Sequence, residues 1–329
     1  MAARLTDPWQ LGPHEVPNRV LLAPLAGIGT WFVRLQARRH GAGMAVSEMV
    51  SSFAIHHRND KTMTELLRIH PDERAPVAIQ LFGQDAQVMR SAAATVAAAG
   101  ADVIDLNMGC PVPKVCKTGA GAALLADPDR AVAVARAARE GSGLPVTVKL
   151  RSGLRPGDTS GYELAHRLVD EAGVSAITFH PRNAKVHHKG TPDYDLAARL
   201  AASLAAPMIL TGGLHTAEAV RAAFERTGAA AVMLARGSLG NPWLFEQVLG
   251  TRTDEPTRDE VLAELDWLIE RAIEHLGEPR AARWLRKAYP WYVVRLGADR
   301  HLNESLQRTT STAEAQALLA AAPALPTAA

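Results

Sequence analysis

A cysteine that follows a predicted buried strand is the residue whose type and position point most directly to chemistry. Cys110 lies between Gly109 and Pro111, where the chain must leave the strand. A free thiol has a pKa near ~8.5 and is mostly protonated at neutral pH, so it suits a general acid better than a nucleophile. The alternative is an inert core cysteine, since free cysteines are often buried and unreactive. Cys116, the other cysteine, fits neither a metal spacing nor a strand end, and we interpret it as structural.

Polar side chains and glycine-bearing turns follow several other predicted strands. The polar strand-end residues are Gln80, Lys149 and His180. A lysine that closes a buried strand needs an anion or an electron-rich partner nearby. The turns at Thr211-Gly212-Gly213 and Ala235-Arg236-Gly237 are typical of phosphate binding through backbone N–H groups. Each feature alone is more often structural, and it is their coincidence at strand ends that indicates one site.

Eight short apolar or β-branched runs recur along the chain, and most are followed by a helical pattern. Continuous apolar character, rather than alternation, is typical of strands buried on both faces of a parallel sheet. Eight strand–helix units in about 240 residues predict a (β/α)8 TIM barrel, which brings the strand ends together at one edge. A doubly wound sheet is the alternative, although it normally needs fewer strands. The predicted strands are Val20–Ala23, Met44–Ser47, Val77–Leu81, Val103–Leu106, Val146–Leu150, Ala176–Phe179, Met208–Leu210 and Ala231–Leu234.

The pattern changes after Gly250, and we end the predicted barrel, residues 1–250, at that point. Residues 251–260 are polar and contain a proline, which is typical of a linker. Beyond them two segments, 261–275 and 280–296, have helical patterns. Residues 251–329 are therefore predicted to form a small all-α C-terminal domain. Pro290 is expected to kink or interrupt the second helix.

One face of the predicted helix 280–296 is basic. Arg280, Arg283 and Lys287 fall opposite an apolar stripe, and residues 280–308 contain seven basic and two acidic side chains. Charge alone fits a solvated helix face as well as a surface that binds a polyanion. The net charge of the whole chain is only +2, so any polyanion partner must be held by a local patch such as this one.

Composition excludes several classes of protein. The 329 residues are 47% hydrophobic and 21% charged, an ordinary globular composition that argues against disorder and coiled coils. No apolar run approaches the ~18 residues that span a bilayer, and the N-terminus lacks the apolar stretch of a signal peptide. Two cysteines can form neither a disulfide scaffold nor a zinc site by themselves. We therefore expect a cytoplasmic protein, a monomer, without a metal and without membrane contact.

The run Ile104-Asp105-Leu106-Asn107-Met108-Gly109-Cys110-Pro111, continuing through Lys114-Val115 to Gly119-Ala120-Gly121-Ala122, resembles the signature of tRNA-dihydrouridine synthases, and most of all that of the bacterial B-type enzymes. The resemblance extends from Asn18 to Phe245 and continues weakly into the C-terminal helices. The motifs APLAG, SEMVSS, IQLFG, VKLRSG and GNPWLF support it in the right order. It implies a barrel that binds FMN, a helical tRNA-binding domain, tRNA as the partner, and NADPH as the reductant of the flavin.

The resemblance also implies a role for each matching residue. Cys110 would donate a proton to C5 of uridine while reduced FMN delivers hydride to C6. Lys149 would stabilise the negative charge of the reduced flavin, and Gln80 would hydrogen-bond the edge of its ring. The other cofactor contacts would come from Pro24, Leu25, Ala26 and His180 around the ring, and from Thr211, Gly212, Gly213, Ala235 and Arg236 at the phosphate. The substrate contacts would come from Asn107, Lys114 and Arg182 and, on the basic helix face, from Arg280, Arg283 and Lys287.

The chain departs from the family pattern at several of these positions. The family usually has Asn-Gly-Asp at Thr211-Gly212-Gly213 and Gly-Arg at Ala235-Arg236, so two side-chain contacts to the flavin are expected to be lost. Backbone N–H donation survives both changes. His-Gly-Arg is here His180-Pro181-Arg182, and Arg-Lys-His is Arg286-Lys287-Ala288.

Two alternative functions remain open at the level of sequence. One is an FMN-dependent barrel oxidoreductase that acts on a small pyrimidine-like molecule, and the other is a non-catalytic RNA-binding barrel. The loop around Cys110 and the basic C-terminal helix favour RNA over a small molecule. The presence of Cys110, Gln80 and Lys149 together argues against a non-catalytic protein, while the altered phosphate turn argues mildly for one.

Overall fold

A computed structural model describes residues 3–322, and within them eight parallel strands close into a TIM barrel. The strands in chain order are β1 (Trp9–Leu11), β2 (His14–Val16), β3 (Val20–Leu22), β4 (Met44–Val46), β5 (Val50–Ser51), β6 (Val77–Phe82), β7 (Val103–Met108), β8 (Val146–Arg151), β9 (Ala176–His180), β10 (Met208–Thr211) and β11 (Ala231–Leu234). The barrel order is β4-β3-β11-β10-β9-β8-β7-β6, and a β4–β6 pairing closes it. β5 extends the pairing of β6 beyond the end of β4.

The eight predicted barrel strands are confirmed. Each begins at the predicted residue, and none ends more than two residues from its predicted end. Their residues are almost completely buried, because the barrel interior covers one face and the surrounding helices cover the other. Five strands run one or two residues further than predicted, and four of these extensions bring Asn107, Arg151, His180 and Thr211 into the strands.

The N-terminal hairpin and the short strand β5 were not predicted. β1 and β2 pair antiparallel, and Trp9, Leu11 and Val16 join a buried cluster with residues of the barrel strands such as Met44 and Val103. Each hairpin strand has only three residues, which is too short to give a periodic signal in the sequence. The hairpin therefore contributes to the core inside the barrel.

Helices follow the barrel strands and are stopped by local capping. Asp127 and Thr216 are N-caps, since their side chains accept the backbone N–H groups of Arg130 and Ala219. The helix that Asp127 caps ends at Ser142 and is followed by Gly143, whose φ is +68°. The helices up to residue 235 are α1 (Trp31–Arg39), α2 (Ser52–His56), a π-helix (Thr62–Leu66), α3 (Ala86–Ala98), α4 (Pro113–Cys116), a 3₁₀ helix (Gly121–Ala126), α5 (Pro128–Ser142), α6 (Ser160–Ala172), α7 (Tyr194–Ser203) and α8 (Ala217–Thr227).

The chain divides into two compact units, one up to Ala235 and one from Arg236. This division lies before the predicted boundary at residue 250, because the segment 236–250 groups with the C-terminal helices. The described part of the second unit, residues 236–322, is helical and contains no strand. Its helices are a 3₁₀ helix (Arg236–Ser238), α9 (Trp243–Leu249), α10 (Arg258–Leu276), α11 (Glu278–Leu285), α12 (Tyr289–Arg295), α13 (Arg300–Arg308) and α14 (Thr312–Ala321).

Two sequence expectations for the second unit have clear outcomes. Pro290 does interrupt the predicted helix 280–296, which becomes α11 and α12. The predicted linker 251–260 is more ordered than a free linker, because Arg252 donates to both carboxylate oxygens of Glu260, at 2.9 and 2.8 Å. Glu260 in turn completes the capping box of α10.

Candidate functional site

Alternate side chains of the barrel strands point into the barrel. Ala78, Val103 and Ala176 belong to the core cluster inside it, so residues two and four positions further along each strand face the same interior. Towards the C-terminal ends these interior positions are polar, and we call this set the polar rim. The polar rim consists of Gln80, Asp105, Asn107, Thr147, Lys149, Arg151, Thr178 and His180.

Cys110 lies in the turn after β7, and its backbone is held on both sides. The Asn107 side-chain oxygen accepts the backbone N–H groups of Gly109, at 3.3 Å, and Cys110, at 2.9 Å. The Cys110 carbonyl accepts the backbone N–H of Ala122 at 2.9 Å and the thiol of Cys116 at 3.3 Å. Burial raises the pKa of the Cys110 thiol. The thiol therefore stays protonated at neutral pH, which fits a proton donor.

The turn that packs against Cys110 requires a glycine. Gly121 has a φ of +63°, and a Cβ at this position would lie 2.7 Å from the Cys110 carbonyl oxygen. A side chain at residue 121 would therefore push Cys110 away, in addition to straining the backbone.

A buried hydrogen-bonded cluster lies on the strands below this turn. The Asp105 carboxylate accepts the Thr147 hydroxyl at 2.5 Å and the Gln80 side-chain N–H at 2.6 Å. The Gln80 side-chain oxygen accepts the Asn107 side-chain N–H at 2.9 Å. Burial raises the pKa of Asp105 to about 6, although the hydrogen bonds from Thr147 and Gln80 and the charge of Lys149 oppose the shift. Asp105 is therefore mostly ionised at neutral pH, and its charge is held by these donors.

Lys149 and Arg151 place two positive charges at the polar rim. The Arg151 guanidinium is fixed by the backbone carbonyls of Gly109 (3.0 Å), Asn183 (3.2 Å) and His187 (2.6 Å). Among residues 3–322 the Lys149 ammonium makes no hydrogen bond or ion pair. Burial, together with the charge of Arg151, lowers the pKa of Lys149 to about 8. Lys149 is thus a mostly protonated cation that an anionic or electron-rich ligand can pair with.

His180 is a buried, neutral imidazole. Its pKa lies well below the usual range because of burial and of the neighbouring charges of Lys149, Arg151 and Arg182. Arg182 lies 3.3 Å from His180 Nε2, and since a guanidinium only donates, Nε2 is the acceptor. Arg182 also donates twice to the Gly190 carbonyl, at 3.0 and 2.7 Å. Its predicted contact with the substrate stays a prediction, and the side chain is already tied to its own loop.

The turn after β10 offers backbone donors. The Thr211 hydroxyl donates to the Met233 carbonyl at 2.8 Å, and Tyr194 donates to the Gly212 carbonyl at 3.0 Å. Within residues 3–322 the backbone N–H groups of Gly212 and Gly213 donate to no acceptor. Two open N–H groups at the C-terminal end of a late barrel strand fit the phosphate of a bound nucleotide. The altered residue types in this turn therefore leave its main-chain donors intact.

We expect Gly212→Ala to destabilise the protein more than Gly228→Ala does. Both glycines have positive φ, +103° and +62°, which costs an alanine roughly 1 kcal/mol. A Cβ at Gly212 would also lie 2.4 Å from the His180 ring, whereas one at Gly228 would meet nothing within 4 Å. This overlap is expected to add a further ~1–3 kcal/mol. Denaturant unfolding of both variants measures the difference, and equal losses would contradict this packing of His180.

Three of the residues predicted to contact the flavin lie in one turn. Pro24, Leu25 and Ala26 form the turn after β3, where the Leu25 carbonyl accepts the N–H groups of Ile28 and Gly29 at 2.9 and 2.7 Å. Leu25 is buried and Ala26 is exposed. Their predicted contacts with the flavin ring stay predictions.

Other predicted residues are placed at the ends of elements. Lys114 is exposed on α4, four residues beyond Cys110. Ala235 directly follows β11 and ends the first unit, whereas Arg236 begins the second unit and is exposed. Their predicted roles with substrate and phosphate stay predictions.

Asp105, Thr147 and Arg151 belong to the polar rim, although no role was predicted for them from the sequence. Asp105 precedes Asn107 by two residues and therefore shares its face of the strand. A charged residue inside a strand predicted to be buried on both faces was the signal that could have found it. Arg151 stands in the same relation to Lys149 on β8.

In residues 3–322 no helix is long and apolar enough to cross a bilayer. In the same part of the chain no three His, Cys, Asp or Glu side chains are grouped so that they could hold a metal ion.

Comparison with known proteins relates this site to a family. A model of the dihydrouridine synthase family matches residues 21–327 of the chain. The tRNA-dihydrouridine synthase B of Pseudomonas aeruginosa is 33% identical over 311 residues, which cover 92% of this chain and 92% of that protein. The probable tRNA-dihydrouridine synthase 1 of Synechocystis sp. is 35% identical over 317 residues, which cover 95% and 88% of the two chains.

Solved structures of similar fold are more distant in sequence. Morphinone reductase in complex with tetrahydroNAD has a TM-score of 0.52 and 17% identity, covering 79% of this chain and 94% of that one. 2-Naphthoyl-CoA reductase in complex with 2-naphthoyl-CoA has a TM-score of 0.59 and 14% identity, covering 79% and 54% of the two chains. At these identities the likeness shows the barrel fold alone.

Proposed function

Because the chain belongs to the dihydrouridine synthase family, we propose that it reduces uridine in tRNA to 5,6-dihydrouridine, with FMN as its bound flavin and NADPH as the reductant. The observation that carries this proposal is the partly buried free thiol of Cys110, on a turn held by Asn107 and Arg151 of the polar rim. The same turn is tied to β8, the strand of Lys149, because Arg151 donates to the Gly109 carbonyl. An acid and a cation on adjoining, bonded elements suit the addition of a proton and a hydride to a double bond.

The residues of the barrel fit a flavin by the chemistry of their donors. The open N–H groups of Gly212 and Gly213 suit its phosphate, and the unpaired ammonium of Lys149 suits the electron-rich side of its ring. Gln80 and His180, with the turn of Pro24, Leu25 and Ala26, would complete the ring site, and Thr211, Ala235 and Arg236 the phosphate site. When bound, reduced FMN supplies hydride to C6 of uridine and is reduced again by NADPH.

The part of Cys110 in the reaction is to hold a proton and release it to C5 of uridine. Burial keeps the thiol protonated before the reaction. Lys149 is proposed to stabilise negative charge at the site. Arg151 fixes the cysteine turn, because its guanidinium donates to the backbone carbonyls of Gly109 and His187. Uridine must leave the base stack of the tRNA to reach this site. Asn107, Lys114 and Arg182 are proposed to position the extruded base.

The second unit is proposed to bind tRNA through the basic face of α11 and the turn after it. Arg280, Arg283 and Lys287 are exposed there. The apolar stripe predicted opposite them is buried, and it includes Tyr289 and Tyr292. Exposed basic side chains on one face add affinity for a polyanion by releasing its counterions. We also propose that the protein acts in the cytoplasm, where tRNA is found, and that it acts as a monomer.

Reversing the three charges together, Arg280→Glu, Arg283→Glu and Lys287→Glu, is expected to raise the KM for tRNA and flatten its dependence on salt. The reason is the loss of phosphate contacts, each of which contributes to the salt slope. Flavin content and flavin reduction by NADPH should stay unchanged. The matched control reverses Arg136, Arg199 and Arg221, exposed residues of the helices around the barrel, with the same change of net charge. Equal effects of both triple variants on tRNA binding would place the RNA surface elsewhere.

The proposed activity has a direct test. The purified protein is examined for visible flavin absorbance, then incubated with NADPH and tRNA that lacks dihydrouridine, and the nucleosides are analysed by mass spectrometry. A uridine mass increase of two hydrogens in the tRNA supports the proposal. Flavin reduction by NADPH without any change in the tRNA would indicate a small-molecule reductase, and absence of flavin after reconstitution with FMN would indicate a non-catalytic barrel.

A further inference from the structure

We propose that Asp105 is a positioning residue: it orients the side-chain amides of Gln80 and Asn107 and through them fixes the backbone of Cys110. The chain of contacts is continuous. Gln80 donates to Asp105 at 2.6 Å, Asn107 donates to Gln80 at 2.9 Å, and the Cys110 backbone donates to Asn107 at 2.9 Å. We call this chain of four residues the amide relay. The inference rests on the proposed function in one respect, because that function makes Cys110 the proton donor.

The direction of every bond in the amide relay is set from its two ends. The backbone N–H of Cys110 can only donate, so Asn107 must present its side-chain oxygen to it, and its NH₂ then faces Gln80. Gln80 must therefore present its own oxygen to Asn107 and direct its NH₂ towards Asp105. A carboxylate only accepts hydrogen bonds, so an aspartate at residue 105 ends the relay with a donor matched to an acceptor. An amide in either wrong orientation would bring two donors or two acceptors together.

Burial makes a wrong orientation costly. Asp105 and Gln80 are each 1% exposed, so water is not at hand to replace a lost partner. An unpaired buried polar group costs far more than a surface hydrogen bond contributes. The Thr147 hydroxyl donates to the other oxygen of Asp105, at 2.5 Å, so both carboxylate oxygens are occupied. The raised pKa of about 6 leaves Asp105 mostly ionised at neutral pH, which agrees with its role as an acceptor.

The relay also explains why residues from different strands meet here. Gln80 pairs with Asp105 in the register of β6 and β7, so their interior side chains are neighbours. Asn107 is two residues further along β7 and points the same way, above Asp105. The Cys110 turn leaves β7 directly after it. A carboxylate inside the barrel therefore acts on the thiol turn through two intervening amides, without touching the thiol itself.

The test compares three variants of the full-length protein. Asp105→Leu removes the acceptor at the end of the relay. Thr147→Val is the matched control, because it removes the other hydrogen bond of the same buried carboxylate but leaves the relay intact. In the double variant Asp105→Asn with Gln80→Glu, the new Asn donates to the new Glu, and the free oxygen of that Glu again accepts from Asn107.

Two measurements report on the Cys110 turn without requiring any tRNA chemistry. These are hydrogen exchange of the Gly109 and Cys110 backbone amides, and the rate at which iodoacetamide alkylates Cys110, located by mass spectrometry. Asp105→Leu is expected to accelerate both by about tenfold, since the turn loses an anchored acceptor. Thr147→Val is expected to stay within about twofold of the parent, and the double variant to return to within about threefold.

Activity provides the third measurement. Asp105→Leu is expected to lower kcat for dihydrouridine formation by about tenfold with little change in the KM for tRNA, because the acid is displaced while the RNA surface is intact. If the parent protein forms no dihydrouridine, the proposed function fails, but exchange and alkylation still decide whether the relay holds the turn.

Several outcomes overturn the proposal. Parental exchange and alkylation in Asp105→Leu would do so, as would equal acceleration in Thr147→Val, which would indicate a general loosening of the barrel. A double variant as fast as Asp105→Leu would also contradict it. If Asp105→Leu fails to fold, Gln80→Met removes the next residue of the same relay. Parental exchange and alkylation rates at the Cys110 turn of Gln80→Met would overturn the proposal equally.

Discussion

Cys110→Ala is expected to reduce the rate of dihydrouridine formation by about 10²–10⁴-fold, the usual cost of losing a general acid. FMN should remain bound, because the proposed cofactor contacts lie on other strands. The measurement is a single-turnover reaction of the reduced protein with tRNA, followed by nucleoside mass spectrometry. Burial raises the pKa of the Cys110 thiol, so the parent rate should show no loss from cysteine ionisation between pH 6 and 8.

The matched control for this prediction is Cys116→Ala. Cys116 is the last residue of α4, and its thiol donates to the Cys110 carbonyl at 3.3 Å. Its loss should change the rate by less than about tenfold, the effect of one weak backbone contact. If the alanine variant of Cys110 retained the parental rate, or if both variants lost activity equally, the assignment of the proton donor would be wrong.

Lys149→Met is expected to weaken flavin binding or slow flavin reduction by NADPH by roughly 10²-fold or more, the effect of removing one preorganised charge from a site where charge develops. Methionine keeps the length of the side chain and removes its ammonium, so the change is mainly electrostatic. Flavin fluorescence titration measures the affinity, and stopped-flow absorbance measures the reduction rate. Parental values for both would exclude this role of Lys149.

The pH dependence provides an independent check on Lys149. Its pKa is lowered to about 8, so the side chain is charged below that pH and loses its charge as the pH rises through it. Flavin affinity of the parent protein should therefore fall as the pH rises through about 8, and the methionine variant should lack this step. Lys61→Met, at an exposed lysine beside the π-helix, is the control and should keep the parental pH profile.

The barrel could be predicted because its strands carry their own signal. Runs such as Val103–Leu106 are continuously apolar, since both of their faces are covered, and the eight predicted strands all begin where expected. The same reasoning could not find the hairpin Trp9–Val16, whose strands of three residues are held by burial of Trp9 and Leu11 in the core rather than by a pattern. It also could not place the unit boundary at 235, because linker-like composition at 251–260 does not reveal which helices pack together.

The sequence by itself determined the residue types at the strand ends and, through the parallel order of the strands, the edge at which they meet. Cys110, Lys149, Gln80 and His180 could be named on that basis. Only the tertiary structure decided what each of them does there. Residues far apart in the chain become neighbours, as the side chains of Asn107 and Gln80 do at 2.9 Å. Burial raises the pKa of the Cys110 thiol and lowers that of the Lys149 ammonium, and no local sequence pattern predicts either shift. The orientation of the buried amides is likewise a property of the closed barrel, because a hydrogen bond needs both of its partners in place.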